Sequence, residues 1–120
     1  GIEYETIKEK HKSDQTSARM QEKIKGAVRL QTQRFTRSHT SNAHMSADQV
    51  EQFCSLTHDA EQLIKKVFDT LHLSMRGYHK VLKVARTIAD LENSDMIGVS
   101  HLQEALMYRS VDHYFERKRS

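Results

Sequence analysis

The sequence predicts an all-α fold, a compact bundle of about five helices. Its 120 residues include no proline, so nothing in the chain forbids long helices. Apolar residues recur at intervals of three and four along several stretches, which is the spacing of amphipathic helices. Hydrophobic residues make up 37% of the chain and charged residues 29%, a balance that suits one modest core. We therefore expect one helical domain over residues 16–112, between a connector and a tail.

Residues 1–15 precede the first clear helical pattern. They become polar along their length, which favours an extended linker. From Ser17 a long first helix is predicted, because an apolar stripe repeats at helical spacing: Met20, Ile24, Ala27, Val28, Gln31 and Phe35. The other face of this helix is basic. Three arginines, Arg29, Arg34 and Arg37, are candidates for contacts with nucleic acid or with a neighbouring subunit.

The TRSHTSNAH segment that follows lacks periodicity and is rich in Ser, Thr and Asn, so it predicts a loop. Beyond it, Ser46 and Gln49 lie three residues apart and form the capping box of a short second helix. Val50, Phe53 and Cys54 make the inward face of that helix. In this position we expect Cys54 to be a small buried hydrophobe rather than a reactive thiol.

Thr57 and Ser74 are the predicted N-caps of the third and fourth helices. The third helix has the clearest apolar stripe, made of Ala60, Leu63, Ile64, Val67, Phe68 and Leu71. The stripe of the fourth helix is made of Tyr78, Val81, Leu82, Ala85, Ile88 and Leu91. Asn93, Ser94 and Asp95 favour a break after the fourth helix.

A fifth helix is predicted to begin at Ser100, which forms a second capping box with Gln103. Its apolar residues are Leu102, Ala105 and Leu106. Residues 113–120 are polar and basic, so we expect the helix to be short and to give way to a basic tail.

Motifs that carry chemistry are almost absent. The four glycines lie at positions 1, 26, 77 and 98, so the chain holds no glycine-rich phosphate-binding loop. The eight histidines lack metal-binding spacing and Cys54 is the only cysteine, so no metal site is expected. The neighbours His58 and Asp59 point about 100° apart on a helix and do not form a catalytic pair. We expect no catalytic residue in this chain.

Charge and hydropathy bear on the location of the protein and on its partners. The net charge of +3 arises from 19 basic and 16 acidic residues, which is too balanced to require a nucleic acid or a membrane surface. No apolar run approaches the roughly 20 residues that cross a bilayer, and the first residues lack the apolar core of a signal peptide. These observations favour a cytoplasmic location without a membrane partner.

Arg76 is the most informative charged residue. It falls two residues after the Ser74 cap, in the first turn of the fourth helix, where the helix dipole is positive and a cation is unfavourable. A phosphate at this helix end would receive both backbone N–H groups and the guanidinium. An exposed arginine paired with a neighbouring carboxylate fits the same pattern. The residues alone leave both interpretations open.

The segment LSMRGYHKVLKVARTIADLENSDMIGVSHLQEALMYR closely resembles the C-terminal helical domain of magnesium-chelatase-like AAA+ ATPases, in the branch that includes the competence protein ComM. The resemblance continues upstream through Ala27, Gln31, Arg34 and Asn42, and it covers nearly all of residues 17–109. It implies a helical lid that closes over a nucleotide. ATP and Mg²⁺ would be held mainly by a preceding P-loop domain of the same protein, not by this chain alone.

By position in the resembling family, Arg76 would be the sensor 2 arginine, which reaches the γ-phosphate, with Ser74 as the cap of its helix. The resemblance also implies a ring of subunits, so neighbouring subunits and the P-loop domain are expected partners, and DNA is a further candidate. The alternative is a free-standing helical module that binds nucleic acid or protein through the basic first helix and the tail residues Arg117, Lys118 and Arg119.

Overall fold

A computed structural model describes the backbone of residues 2–35 and 41–119 and the side chains of residues 16–35 and 41–109. Within these ranges the chain forms an all-α bundle. Its elements are α1 (Ile2–Arg34), a 3₁₀ turn (Asn42–His44), α2 (Ala47–Phe53), α3 (His58–Thr70), α4 (Met75–Leu91) and α5 (Val99–Arg119). The predicted fold class and the order of the five helices are confirmed.

Helices α1 and α5 are longer than the sequence pattern predicted. The backbone is helical from Ile2, where an extended linker was expected, and it stays helical to Arg119, where a non-helical tail was expected. Both added stretches lack glycine and proline and are rich in residues of good helix propensity, so a helix continues without an apolar stripe. No helix in the described part of the chain is long and apolar enough to cross a lipid bilayer.

The predicted apolar stripe of α1 is only partly buried. Ala27 and Phe35 are buried in the core, with 4% and 7% of their surface exposed. Met20, Ile24 and Val28 keep 55%, 48% and 56% of their surface exposed. The stripe therefore contributes to the core near its C-terminal end, while its middle remains an apolar surface.

The predicted starts of α2, α3 and α4 are confirmed by hydrogen bonds. Ser46 and Gln49 form a reciprocal capping box, with each side chain accepting from the backbone N–H of the other residue. Thr57 Oγ1 accepts from the backbone N–H of Ala60 at 3.2 Å. Such caps satisfy donors that have no partner within the helix, and each typically stabilises a helix by about 1 kcal/mol.

Helices α3 and α4 end in the same way. The residue after each C-cap has a left-handed backbone, with φ of 50° at His72 and 57° at Asn93. This turn lets the next backbone N–H reach back into the helix, so Leu73 N–H donates to Phe68 O and Ser94 N–H to Ala89 O. The expected break at Asn93 is confirmed. Because α3 ends at Thr70, Leu71 is 49% exposed, and the prediction that it belongs to the inward stripe of the third helix is wrong.

The predicted capping box at Ser100 is wrong. Helix α5 begins one residue earlier, at Val99, and the exposed Ser100 lies inside its first turn. The cap is supplied by His101, whose Nδ1 accepts from the backbone N–H of Gly98 at 2.8 Å. A histidine thus takes the role that a Glu or Gln side chain has in a capping box.

Helix α4 lies at the centre of the bundle and packs against α1, α2 and α5. Its buried apolar residues are Val81, Leu82, Ala85, Ile88 and Ala89. The segments before α3 and α5 run parallel for one step, where Thr57 N–H donates to Ile97 O and Ile97 N–H donates to Ser55 O. This bridge fixes the starts of α3 and α5 side by side.

Candidate functional site

The N-terminus of α4 is built from a cap and an arginine. Ser74 is the N-cap, and its Oγ accepts from the backbone N–H of Gly77 at 3.0 Å. Arg76 follows in the first turn with an exposed side chain. No acidic residue lies in this turn. The positive end of the helix dipole and the guanidinium therefore act together, with no local carboxylate to offset them.

Arg76 has no ion-pair partner among the described side chains. The salt bridges of this region join other residues, and none includes Arg76. The sequence left two interpretations of Arg76 open, a phosphate contact and pairing with a neighbouring carboxylate. The second is not observed among the described side chains. The guanidinium is left free to meet an external anion.

Arg76 opens onto a shallow basic groove. Its wall is one face of α4, because Arg76, His79, Lys80 and Lys83 follow the i, i+3, i+4, i+7 spacing that places side chains together on a helix. Ala43, in the 3₁₀ turn, forms the opposite side. The groove has a volume of about 530 Å³ and holds no acidic side chain. Its chemistry suits a multivalent anion such as a chain of phosphates.

The arginines predicted to make contacts along the first helix have different environments. Arg29 is exposed. Arg37 lies outside the described residues. The side chain of Arg34 is paired inside the domain, because its guanidinium donates to Asp90 at 2.7 and 2.8 Å and to Asn42 Oδ1 at 2.8 Å. Arg34 is therefore not available to an outside partner, and its main role is to attach α1 to α4.

The pairing of Arg34 belongs to a buried polar network that sequence reasoning missed. Asp90 is fully buried and accepts from Arg34, from Asn42 Nδ2 at 2.7 Å and from Arg86 Nε at 3.1 Å. Arg86 is 2% exposed and also donates to the backbone carbonyls of Ser94 and Asp95. The available signal was a charged pair four residues apart within the most apolar helix of the chain.

Cys54 is buried, as predicted, and belongs to the apolar core. Burial raises the pKa of its thiol to about 11, against an opposing effect of the nearby Arg86 and Arg34 charges. At neutral pH the sulfur is a protonated weak donor directed at Leu82 O, at 3.9 Å. It is therefore not a nucleophile.

The described residues contain no group of three or more His, Cys, Asp or Glu side chains that could hold a metal ion. The residues that line the basic groove supply positive charge and a helix N-terminus. They do not place a nucleophile beside a general base. What this arrangement can do is bind and orient an anion.

The chain is similar in sequence to known proteins of one family. Residues 14–109 match the family model described as magnesium chelatase, subunit ChlI C-terminal. The uncharacterized protein YifB of Escherichia coli (strain K12) is 37% identical over 98 residues, which are 82% of this chain and 19% of that protein. The competence protein ComM of Haemophilus influenzae is 37% identical over 97 residues, 81% of this chain and 18% of that protein.

A second YifB, from Salmonella typhimurium, is 36% identical over 88 residues, which cover 73% of this chain and 17% of that protein. The chain thus spans less than a fifth of the length of each of these relatives. The family match covers most of the chain, including all of α2, α3 and α4. The chain belongs to the magnesium-chelatase-like AAA+ family and corresponds to its C-terminal domain.

Proposed function

We propose that this domain is the helical lid of a magnesium-chelatase-like AAA+ ATPase and that Arg76 contacts the γ-phosphate of bound ATP as the sensor 2 residue. The observation that carries the proposal is the free guanidinium of Arg76 at the N-terminus of α4, in a groove whose other charged side chains are basic. The family match over residues 14–109 and the chemistry of the groove both support it.

The remainder of the nucleotide site must come from elsewhere in a longer protein. This chain has no phosphate-binding loop, and its described residues hold no acidic cluster for Mg²⁺. We therefore assign ATP and Mg²⁺ mainly to a P-loop domain that precedes the lid. The lid contributes a cation whose contact depends on the third phosphate, so its position changes between the ATP and ADP states.

The contacts that hold the far end of α4 bear on this role. Arg76 lies at one end of the helix, and Asp90 at the other end is held by Arg34 of α1 and by Asn42 of the 3₁₀ turn. A displacement of Arg76 on phosphate binding or release is therefore passed along one helix to the element that leads into the rest of the protein. This is how we propose that hydrolysis moves the lid relative to its partner domain.

The test is the steady-state ATPase activity of the longer protein that carries this domain, comparing wild type with Arg76→Ala. Loss of one donor to transition-state charge typically lowers turnover about 10²–10³-fold. Lys66→Ala is the control, since Lys66 is an exposed cation on α3, outside the groove and away from the basic face of α1. Circular dichroism checks that both variants fold. Wild-type turnover in a folded Arg76→Ala protein would refute the sensor role.

DNA binding is a second candidate, because Arg19, Lys23, Lys25 and Arg29 are all exposed along α1. Binding through phosphates would fall steeply with salt and would not require nucleotide. A fluorescence-anisotropy titration of this chain with labelled DNA at two salt concentrations separates the candidates. Tight, salt-sensitive binding by the chain alone, together with full ATPase activity of Arg76→Ala, would favour the nucleic-acid module over the lid.

A further inference from the structure

A groove with an apolar lining lies between α2, α3 and α4. Its volume is about 650 Å³, which is within the range of roughly 300–1,000 Å³ that small-molecule sites usually have. The apolar side chains that line it include Leu56, Ile64, Phe68, Met75 and Leu82. Because Met75 keeps 58% of its surface exposed, the apolar lining continues to the mouth. We call this feature the α3–α4 groove.

The groove follows from the way in which α3 and α4 pack. Helix α3 packs mainly against α5, whereas α4 packs against α1, α2 and α5, so a space remains between these two consecutive helices. Phe68 of α3 and Tyr78 of α4 meet there edge to face, with ring centroids 5.7 Å apart. Both rings line the groove, and an aromatic ring attracts a cation to its face.

The rim of the α3–α4 groove is acidic. Glu51, Glu61 and Asp69 are exposed there, and Lys65 is the one cation among the described residues that line it. Lys65 Nζ lies 3.5 Å from Glu61 Oε1, so it neutralises that carboxylate. Glu51 and Asp69 have no ion-pair partner among the described side chains. Two negative charges at the rim are therefore not balanced within the domain.

Both of these unpaired carboxylates lie at the negative end of a helix. Glu51 is in the last turn of α2 and Asp69 is in the last turn of α3, and neither turn contains a basic residue. The partial negative charge of each helix end adds to that of the carboxylate. The field extends into the groove, where burial first and then Glu51 raise the pKa of the Tyr78 hydroxyl. A cation that enters the groove is therefore attracted from two sides.

We propose that the α3–α4 groove binds a small organic cation, an amine or quaternary ammonium group on an apolar body. The apolar body packs against the lining, and the ammonium group lies at the rim with Glu51 and Asp69 as its counter-ions. A helical segment of a partner protein suits the groove less well, because 650 Å³ is the volume of only about one and a half turns of a helix 10 Å wide.

This site is separate from the proposed nucleotide contact. The α3–α4 groove and the basic groove at Arg76 share no lining residue, and they have opposite charge. Binding of an organic cation is therefore measured without nucleotide. Its failure would leave the sensor role of Arg76 untouched, and failure of that role would leave the cation site untouched.

The first test is isothermal titration calorimetry of the 120-residue chain with decyltrimethylammonium, at low salt and below the micelle-forming concentration. Decanoate is the matched probe, because it joins an apolar chain of similar length to the opposite charge. We expect saturable one-to-one binding of the cation and about tenfold weaker binding of decanoate. Octyltrimethylammonium is two methylenes shorter and should bind about tenfold less tightly, since each buried methylene strengthens binding.

A variant of the apolar mouth locates the binding site. Met75→Gln keeps the length of the side chain but removes its apolar contact, so it should weaken binding of decyltrimethylammonium about threefold to tenfold. Met107→Gln is the matched control, because Met107 is an exposed methionine of α5 that does not line the groove. Circular dichroism shows whether both variants keep their helices.

A variant of the rim tests the role of charge. Glu51→Gln combined with Asp69→Asn removes the two unpaired charges and should weaken binding of the cation about threefold to tenfold. The same double variant should narrow the difference between decyltrimethylammonium and decanoate. Glu22→Gln combined with Asp95→Asn is the matched control, because both residues are exposed carboxylates outside the groove.

Any of four results would overturn the proposal. The cation could fail to bind, or decanoate could bind equally well. The folded mouth and rim variants could bind the cation as tightly as their controls do, which would place the contact elsewhere. A short helical peptide of leucine and lysine could bind the same groove more tightly than the amine, which would assign it to a partner protein. Finally, the longer protein could fail to bind the cation that this chain binds, which would assign the groove to another segment of that protein.

Discussion

Asp90 and Arg34 form a two-point ion pair between α4 and α1, with Arg34 Nη1 2.7 Å from Oδ2 and Nη2 2.8 Å from Oδ1. Asp90 occupies the last turn of α4, where the helix dipole disfavours an anion. Arg34, Arg86 and Asn42 reverse that preference by donating to the carboxylate from three sides. One buried carboxylate thus organises the contact between α4 and the helix that precedes it.

Asp90→Asn should destabilise the domain strongly. The change removes the only carboxylate that faces Arg34 and Arg86 among the described residues, and loss of one partner of a buried ion pair typically costs about 3–5 kcal/mol. Urea unfolding followed by circular dichroism measures the change in free energy of unfolding. Glu22→Gln is the control, because the Glu22–Lys25 pair is 3.9 Å long and mostly exposed, and its loss should cost under about 0.5 kcal/mol. Equal costs would contradict this account.

His101→Ala should lower the free energy of unfolding by about 0.5–2 kcal/mol, the usual range for a lost cap. Because Gly98 N–H donates to Nδ1, the ring proton lies on Nε2, which donates to Glu92 at 2.8 Å. His101→Gln should recover part of the loss, since Gln fits this position of a capping box. Ser100→Ala is the control and should be nearly neutral. Thermal unfolding of the three variants decides whether the cap is at 101, as observed, or at 100, as the sequence pattern suggested.

The sequence predicted the helices whose ends and faces both carry a signal. Ser46, Thr57 and Ser74 are capping residues directly before apolar stripes, so the starts of α2, α3 and α4 followed from local chemistry. The full lengths of α1 and α5 could not be predicted in this way. Their outer stretches are polar on every face. A helix without an apolar face shows no apolar periodicity, so the sequence pattern does not indicate it.

The same distinction applies to the candidate site: its features at a helix end can be read from the sequence, whereas its tertiary contacts cannot. Ser74 and Arg76 were identified because helix ends have known electrostatics that a sequence displays. The network around Asp90 depends on which faces of α1 and α4 meet, a tertiary property. The sequence therefore gives Arg34 the pattern of an exposed basic residue and does not show that Arg86 and Asp90 are buried, although all three side chains are no more than 10% exposed.

His72→Gly should stabilise the domain by up to about 1 kcal/mol. His72 is exposed and adopts a left-handed backbone, with φ of 50°, at a helix end where glycine is the preferred residue. Asn93→Gly should raise the free energy of unfolding by less, because asparagine tolerates this conformation better than histidine does. Urea unfolding of the two variants gives the comparison. A loss of stability at position 72 would show that the His72 side chain makes a stabilising contact.

Alkaline pH should destabilise the domain partly through Cys54. Burial raises the pKa of its thiol from 9.0 to about 11 in the folded chain, so the folded state holds the proton more tightly than the unfolded state does. The resulting stability is fully present below pH 9 and is lost as the pH rises from about 9 to about 11; it amounts to at most about 3 kcal/mol.

Cys54→Ala isolates this effect from other groups that titrate in the same range, including Tyr78, whose pKa is also raised. The variant should be less stable than wild type at pH 7, because a buried side chain is shortened, but the difference should narrow as the pH rises toward 11. Free energies of unfolding at several pH values measure this narrowing. If the free energies of unfolding of the two proteins changed in parallel with pH, the thiol would ionise equally readily in the folded and unfolded chains.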